Sequence, residues 1–142
     1  MSMTTALLIP VFVQIGLTFA LLSMLGPARL EALRRGDVKL EDISLGEKAW
    51  PPRVTQIANA HDNQYQLPVL LYALVLLALV LHKVDLPLVA GAWIFVLSRF
   101  AHAYVYVTTN HVPSRFRTYI AGLLALAAMW LWLGARILIE GA

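Results

Sequence analysis

The sequence predicts an all-α integral membrane protein: four transmembrane helices in one bundle. Composition is the first observation behind this, because 60% of the 142 residues are hydrophobic and only 13% are charged. Soluble domains carry roughly 45–50% apolar and about 25% charged residues. The mean hydropathy of +0.72 agrees. The second observation is four apolar runs, each near the ~20 residues a helix needs to cross the hydrocarbon core. The third is that basic residues cluster between those runs. The net charge of +3 therefore reflects topology and argues against nucleic acid as a partner. No cysteine is present, which excludes disulfides, thiolate catalysis, Cys-type zinc and iron–sulfur clusters. One domain fits this length.

The first run covers residues 4–25. It has no basic leader and no small-residue cleavage site, so it reads as a retained helix. Gly26-Pro27 is the expected stop, Pro10 the expected kink, and Gln14 the lone strongly polar side chain. Residues 28–55 read as a cytoplasmic loop. There Arg29, Arg34, Arg35, Lys39, Lys48 and Arg53 alternate with Glu31, Asp37, Glu41, Asp42 and Glu47. Leu30, Leu33, Leu40, Ile43 and Leu45 are interspersed, as in short amphipathic turns lying on headgroups. Trp50, before Pro51-Pro52, suits an interfacial anchor.

The second span, residues 57–82, is purely apolar only over residues 67–81, 15 positions. That is short of the ~30 Å hydrocarbon core at ~1.5 Å per residue. The helix must take length from the polar stretch Gln56 to Gln66, whose side chains then have to face protein or water. Pro68 frees the carbonyl of Gln64. After the turn His82-Lys83-Val84-Asp85, Pro87 opens a third span over residues 87–107, with Arg99 near its middle. Residues 108–117 read as a loop and residues 118–139 as the fourth span, with Trp130, Trp132 and Arg136 towards its far end. Loops one and three hold Arg29 to Arg53, Arg115 and Arg117, whereas the other side holds Lys83 and Arg136. This bias places both termini outside the cytoplasm.

Positions three, four and seven apart share a helical face. Asn59, Asn63 and Gln66 do so in the second span, with Asp62 beside them; Arg99, His102 and Tyr106 do so in the third. The spans run antiparallel, so both stripes fall in the cytoplasmic half. An unpaired charge at the bilayer centre costs ~2.5–3.5 kcal/mol on insertion scales. Arg99 is therefore expected to pair with Asp62, directly or through Gln66. His102 has no metal-ligand spacing to His61 or His111, so no metal site is expected.

Two motifs carry a family resemblance. In the second span, Asn59-Ala60-His61-Asp62-Asn63-Gln64-Tyr65-Gln66 runs into Leu67-Pro68. In the third, Arg99-Phe100-Ala101-His102-Ala103-Tyr104-Val105-Tyr106 reads Arg-x-x-His-x-x-x-Tyr. A long basic first loop and a basic residue opening the last helix complete the pattern. Over nearly its whole length the chain resembles the membrane-associated proteins in eicosanoid and glutathione metabolism, bacterial members above all. The resemblance implies a homotrimer in a bacterial inner membrane, surrounded by membrane lipids, with sites between subunits near the cytoplasmic face. It implies glutathione as co-substrate and a small lipophilic substrate entering from the bilayer. Asn59, Asp62, Asn63 and Gln66 would bind the tripeptide, and Arg99, His102 and Tyr106 would line the site. Arg117 or Arg115 would be the catalytic partner of the thiolate, and Arg29 would contribute from the adjacent subunit.

Two departures stand out. The family run is Arg-Ala-x-x-Asn-x-x-Glu, but Asn59 replaces its arginine, Gln66 its glutamate, and the spacing from Asn63 to Pro68 is one residue shorter. The arginine is a bidentate carboxylate clamp and the glutamate the natural amine partner, a role left here to Asp62. Two function classes therefore stand. One is a glutathione transferase-like enzyme conjugating lipophilic electrophiles. The other is a non-catalytic membrane protein of the same fold binding a lipid or a partner protein. A transporter or proton relay through Asp62, His102 and Arg99 fits less well, because the sequence has no paired discontinuous helices.

Overall fold

A computed structural model describes residues 2–44 and 49–141; Leu45, Glu47 and Lys48 of the basic loop lie outside the described residues. The elements are α1 (Met3–Arg35), a 3-10 turn (Glu41–Ile43), α2 (Pro52–Asp62), a second 3-10 turn (Asn63–Tyr65), α3 (Leu67–Val80), α4 (Leu86–Val107) and α5 (Val112–Glu140). Through the second 3-10 turn, α2 and α3 form one run, Pro52–Val80. Together with α1, α4 and α5 it makes four helical segments long and apolar enough to cross a membrane.

Helix α1 does not stop at Gly26-Pro27 but continues to Arg35. Proline removes one backbone donor, to the carbonyl of Ser23, and that single loss is outweighed by packing. Leu25 and Ala32, on either side of Pro27, are buried against Val38, Val54 and Ile57. The stop lies at Gly36, whose φ of +74° suits a residue without Cβ. Its N–H donates to the carbonyl of Leu33 at 3.1 Å and that of Asp37 to Ala32 at 3.0 Å, a Schellman pair. The 33 residues of α1 reach about 50 Å at ~1.5 Å each, longer than the ~30 Å hydrocarbon core. The connection to α2 is correspondingly shorter than a loop over residues 28–55.

Helix α5 begins at Val112, six residues before the expected 118. Pro113 in its first turn has φ already set for a helix and lacks only a donor that would go unused there. Arg115 and Arg117 are therefore helical, and the loop shrinks to Thr108–His111, with Asn110 at φ +51°. Pro68 sits in the first turn of α3, and the break falls at Gln66 (φ −101°, ψ −101°).

Helix α4 packs against α1, α2 and α5. Its Leu88, Ala92, Phe95 and Val96 form the core with Leu7 of α1, Leu71, Leu74 and Ala78 of α3, and Leu126, Met129 and Leu133 of α5. Gly122 permits the close approach of α5 to α4, since a Cβ there would lie 2.5 Å from Ser98 Oγ. At the end of the bundle holding the α3–α4 turn, Asp85 caps α4 by accepting from the Leu88 N–H at 3.1 Å. Its other oxygen accepts from Trp132 Nε1 at 2.8 Å and Arg136 Nη1 at 2.9 Å. Glu140 pairs with Arg136 at 3.0 Å and Lys83 at 3.1 Å. Four charges and an indole thus tie the α3–α4 turn to the end of α5.

Candidate functional site: a cationic cavity between spans two, three and four

A cavity of about 300 Å³ opens at the other end of the bundle. Asn63 of the second 3-10 turn, His102 and Tyr106 of α4, and Val112, Arg115, Phe116 and Tyr119 of α5 line it. The seven-residue spacing from Arg99 to Tyr106 places Arg99, His102 and Tyr106 on one buried face of α4.

His102 is buried, with Nδ1 at 2.9 Å from the Arg115 carbonyl and 3.2 Å from Thr118 Oγ1. A carbonyl only accepts, so Nδ1 carries the proton, and Nε2 of the neutral ring is an acceptor. Nε2 is buried with no partner among the described residues. The ring is held edge-on to Tyr106 at 5.7 Å and tilted to Tyr119 at 5.9 Å between centroids. The Arg115 guanidinium lies 3.8 Å over the centre of the Tyr106 ring. Its Nη1 donates to Asn110 Oδ1, while Nε is buried without a partner among the described residues. Behind the cavity wall Arg99 is fully buried. It lies 5.8 Å from the Tyr119 ring centre and donates through Nη2 to the Asn63 carbonyl at 3.5 Å. Its Nε and Nη1 have no partner among the described residues.

The expected pairing of Arg99 with Asp62 is not formed, and Gln66 does not bridge them. Asp62 is exposed and faces His61 Nδ1 at 3.4 Å, and Gln66 is also exposed. Asp62 ends α2 on its exposed face, about 100° around the helix from Asn63. Past Asp62 the 3-10 turn at Asn63–Tyr65 winds at ~3.0 instead of ~3.6 residues per turn, which takes Gln66 off the stripe. The acceptor delivered to Arg99 is a backbone carbonyl, that of Asn63. The Asn63 side chain folds back to donate to the Asn59 carbonyl at 2.8 Å, and the Asn59 side chain is exposed. Arg115 lines the cavity, whereas Arg117 is exposed and outside the lining. Arg29 is also outside it: exposed near the end of α1, it stacks 5.2 Å from the Trp50 ring centre.

Tyr119, Thr118 and Asn110 belong to this site, yet nothing in their spacing singles them out until α5 is known to start at Val112. A second polar contact joins α1 to the second span. Gln14 Nε2 donates to Gln64 Oε1 at 2.9 Å, and Gln64 Nε2 donates to the Ala60 carbonyl at 2.8 Å, all buried. The isolation of Gln14 in an apolar run was the available signal, since lipid offers such an amide no hydrogen bond.

Four helical spans with a cavity at one end, lined by Arg115 and His102, define a multi-span membrane protein. The chain belongs to the MAPEG family, whose model matches residues 7–135, and it is an integral, multi-pass membrane protein. No curated protein matches it. Glutathione, the co-substrate implied by the resemblance, can be tested against the donor set. The Arg115 guanidinium at the cavity wall suits an anionic group such as a thiolate, and the unpartnered His102 Nε2, buried beside it, suits a hydrogen-bond donor such as an amine or amide. These groups are compatible with a thiolate and an amide, with the arginine on α5 where the family pattern has one at position 59.

Proposed function

We propose that the protein is a glutathione transferase-like enzyme that conjugates lipophilic electrophiles reaching the cavity from the bilayer. The observation that carries this reading is Arg115, fixed against Tyr106 with a buried, unpartnered Nε beside the cavity. A cation beside a bound thiol lowers its pKa and holds the thiolate. The thiol proton leaves to solvent, the sulfur attacks the electrophilic carbon, the C–S bond forms, and an aryl halide loses its halide as the anion. His102 Nε2 accepts a hydrogen bond from the tripeptide, and Asn63 and Tyr119 shape its seat. Arg115 takes the catalytic place, and Arg117 does not.

Two further features belong to this reading. Asn59, Asp62 and Gln66 are exposed on the outer face of a helix that spans the membrane. Polar side chains at that depth need protein or water over them, which favours a homotrimer with the second span turned towards a neighbour. The basic residues of the first and third connections share the cavity's end of the bundle, favouring a cytoplasmic site and non-cytoplasmic termini.

The test is conjugation of glutathione to a generic aryl halide by the detergent-purified protein. Turnover that disappears in Arg115→Ala and survives in Arg117→Ala is the expected result; equal turnover in both variants would overturn the assignment. Asn59 and Gln66 favour a second reading, a non-catalytic binder, because they remove the family's carboxylate clamp and amine partner. Absence of both turnover and glutathione binding in the wild type selects it.

A further inference from the structure

The carbonyls that end α4 are satisfied from two different elements. Tyr104 accepts from the backbone N–H of Thr108 at 3.1 Å and from its hydroxyl at 2.6 Å. Val105 accepts from the Asn110 N–H at 2.8 Å. Tyr106 accepts from Gln56 Nε2 and Val107 from Arg53 Nη1, both on α2. A helix end leaves its last four carbonyls without intrahelical donors, so α2 completes the cap that the turn Thr108–His111 begins. Holding the Tyr106 and Val107 carbonyls holds the backbone from which the ring under Arg115 projects. On the opposite side of the same turn, Asn110 stands at φ +51° and its Oδ1 accepts from Arg115 Nη1. Asparagine adopts that backbone conformation more readily than most residues with a side chain.

We propose that Asn110 is a positioning residue for the cavity: its side-chain carbonyl, on a turn clamped by Gln56 and Arg53, occupies one Arg115 nitrogen and directs the remaining donors at the bound anion. The inference rests on Arg115 being the thiolate partner. It assigns a role to a loop residue, and to Gln56 behind it, that neither touches substrate nor belongs to the two polar stripes.

Three variants and two readouts test it. Asn110→Gly removes the acceptor but keeps the freedom for positive φ. Asn110→Asp keeps the acceptor and sets a negative charge beside Arg115. Gln56→Met removes one donor from the cap. The first readout needs no glutathione: the rate at which phenylglyoxal, an arginine-selective reagent, modifies Arg115 in the full-length protein, followed by peptide mass mapping. Asn110→Gly is expected to react several times faster than wild type, Gln56→Met to fall between them, and Asn110→Asp to react no faster than wild type. The second readout is the pH profile of conjugation. Asn110→Gly should lower kcat roughly ten- to a hundredfold, the scale of a ~1 Å misplacement. Both Asn110 variants should move the rising limb to higher pH, because each weakens the positive field on the thiolate. Equal modification rates in wild type and Asn110→Gly would overturn the proposal, as would a lower kcat with an unmoved profile. If wild type conjugates nothing, the enzyme reading fails, and the modification rates still decide the positioning role.

Discussion

The two ends of the α4–α5 hairpin treat charge in opposite ways. At the end holding the α3–α4 turn, Lys83, Asp85, Arg136 and Glu140 each meet an opposite charge within 3.1 Å. At the cavity end, Arg99 and Arg115 are paired with no carboxylate among the described residues, and three of their nitrogens have no acceptor. Leaving a buried donor unmade costs about 1–3 kcal/mol, more when it is charged. Stacking of Arg115 on Tyr106 and of Arg99 on Tyr119 offsets part of that cost. The paired end holds helices together, whereas the cavity end leaves donors without acceptors, as the proposed function requires.

The comparison breaks most visibly at Arg115. Removing one oriented donor from a site that stabilises an anion costs about 10²–10³ in rate, so Arg115→Ala should lose conjugation on that scale. Because the lost charge had no counter-charge, only the stacking on Tyr106 and the bond to Asn110 are lost, and the melting temperature should fall less than in Asp85→Ala. Initial rates and detergent thermal denaturation measure the two effects. A variant that is both inactive and markedly less stable would make Arg115 a structural residue like those at the paired end.

Asp85→Ala is the converse. Loss of the N-cap alone is worth about 1 kcal/mol, and Arg136 and Trp132 Nε1 lose their shared acceptor as well. The melting temperature should drop, while the turnover of molecules that remain folded stays near wild type. A loss of turnover as deep as in Arg115→Ala would erase the distinction between the two ends.

The smallest effect is expected at the amide pair between α1 and the second span. Interhelical hydrogen bonds in membranes average about 0.6 kcal/mol. Gln14→Leu should destabilise on that scale, since it strands the Gln64 amide. The double change Gln14→Leu with Gln64→Leu should recover part of the loss, because removing both partners is far cheaper than removing one. A double-mutant cycle of unfolding in detergent measures the coupling.

How far this was legible from sequence depended on whether a feature is periodic. The Arg99, His102 and Tyr106 stripe follows from residue spacing on an uninterrupted helix, and α4 is such a helix. Asp62 misled because it lies on the exposed face of α2, and Gln66 because the 3-10 turn that begins after Asp62 breaks its angular relation to the stripe. The stop at Gly26-Pro27 misled because a proline withdraws a single donor, whereas the packing of Leu25 and Ala32 that outweighs it comes from residues 38–57, distant in sequence. Arg115 and Arg117 are two positions apart, about 200° around a helix. Only one of them can face the cavity, and which one depends on where α5 starts. Asn110 has no periodic signature at all, since its role comes from a turn and from two donors more than fifty positions away.

The most direct measurement is the unfolding midpoint of wild type and Arg115→Ala in detergent, each with and without glutathione. At ~100 times the dissociation constant, linkage stabilises a binder by about 2.7 kcal/mol. Wild type should rise with glutathione, and Arg115→Ala should start close to wild type and not move. No glutathione response in either protein, or an equal rise in both, would mean that the unpartnered donors at the cavity end are not kept for this ligand.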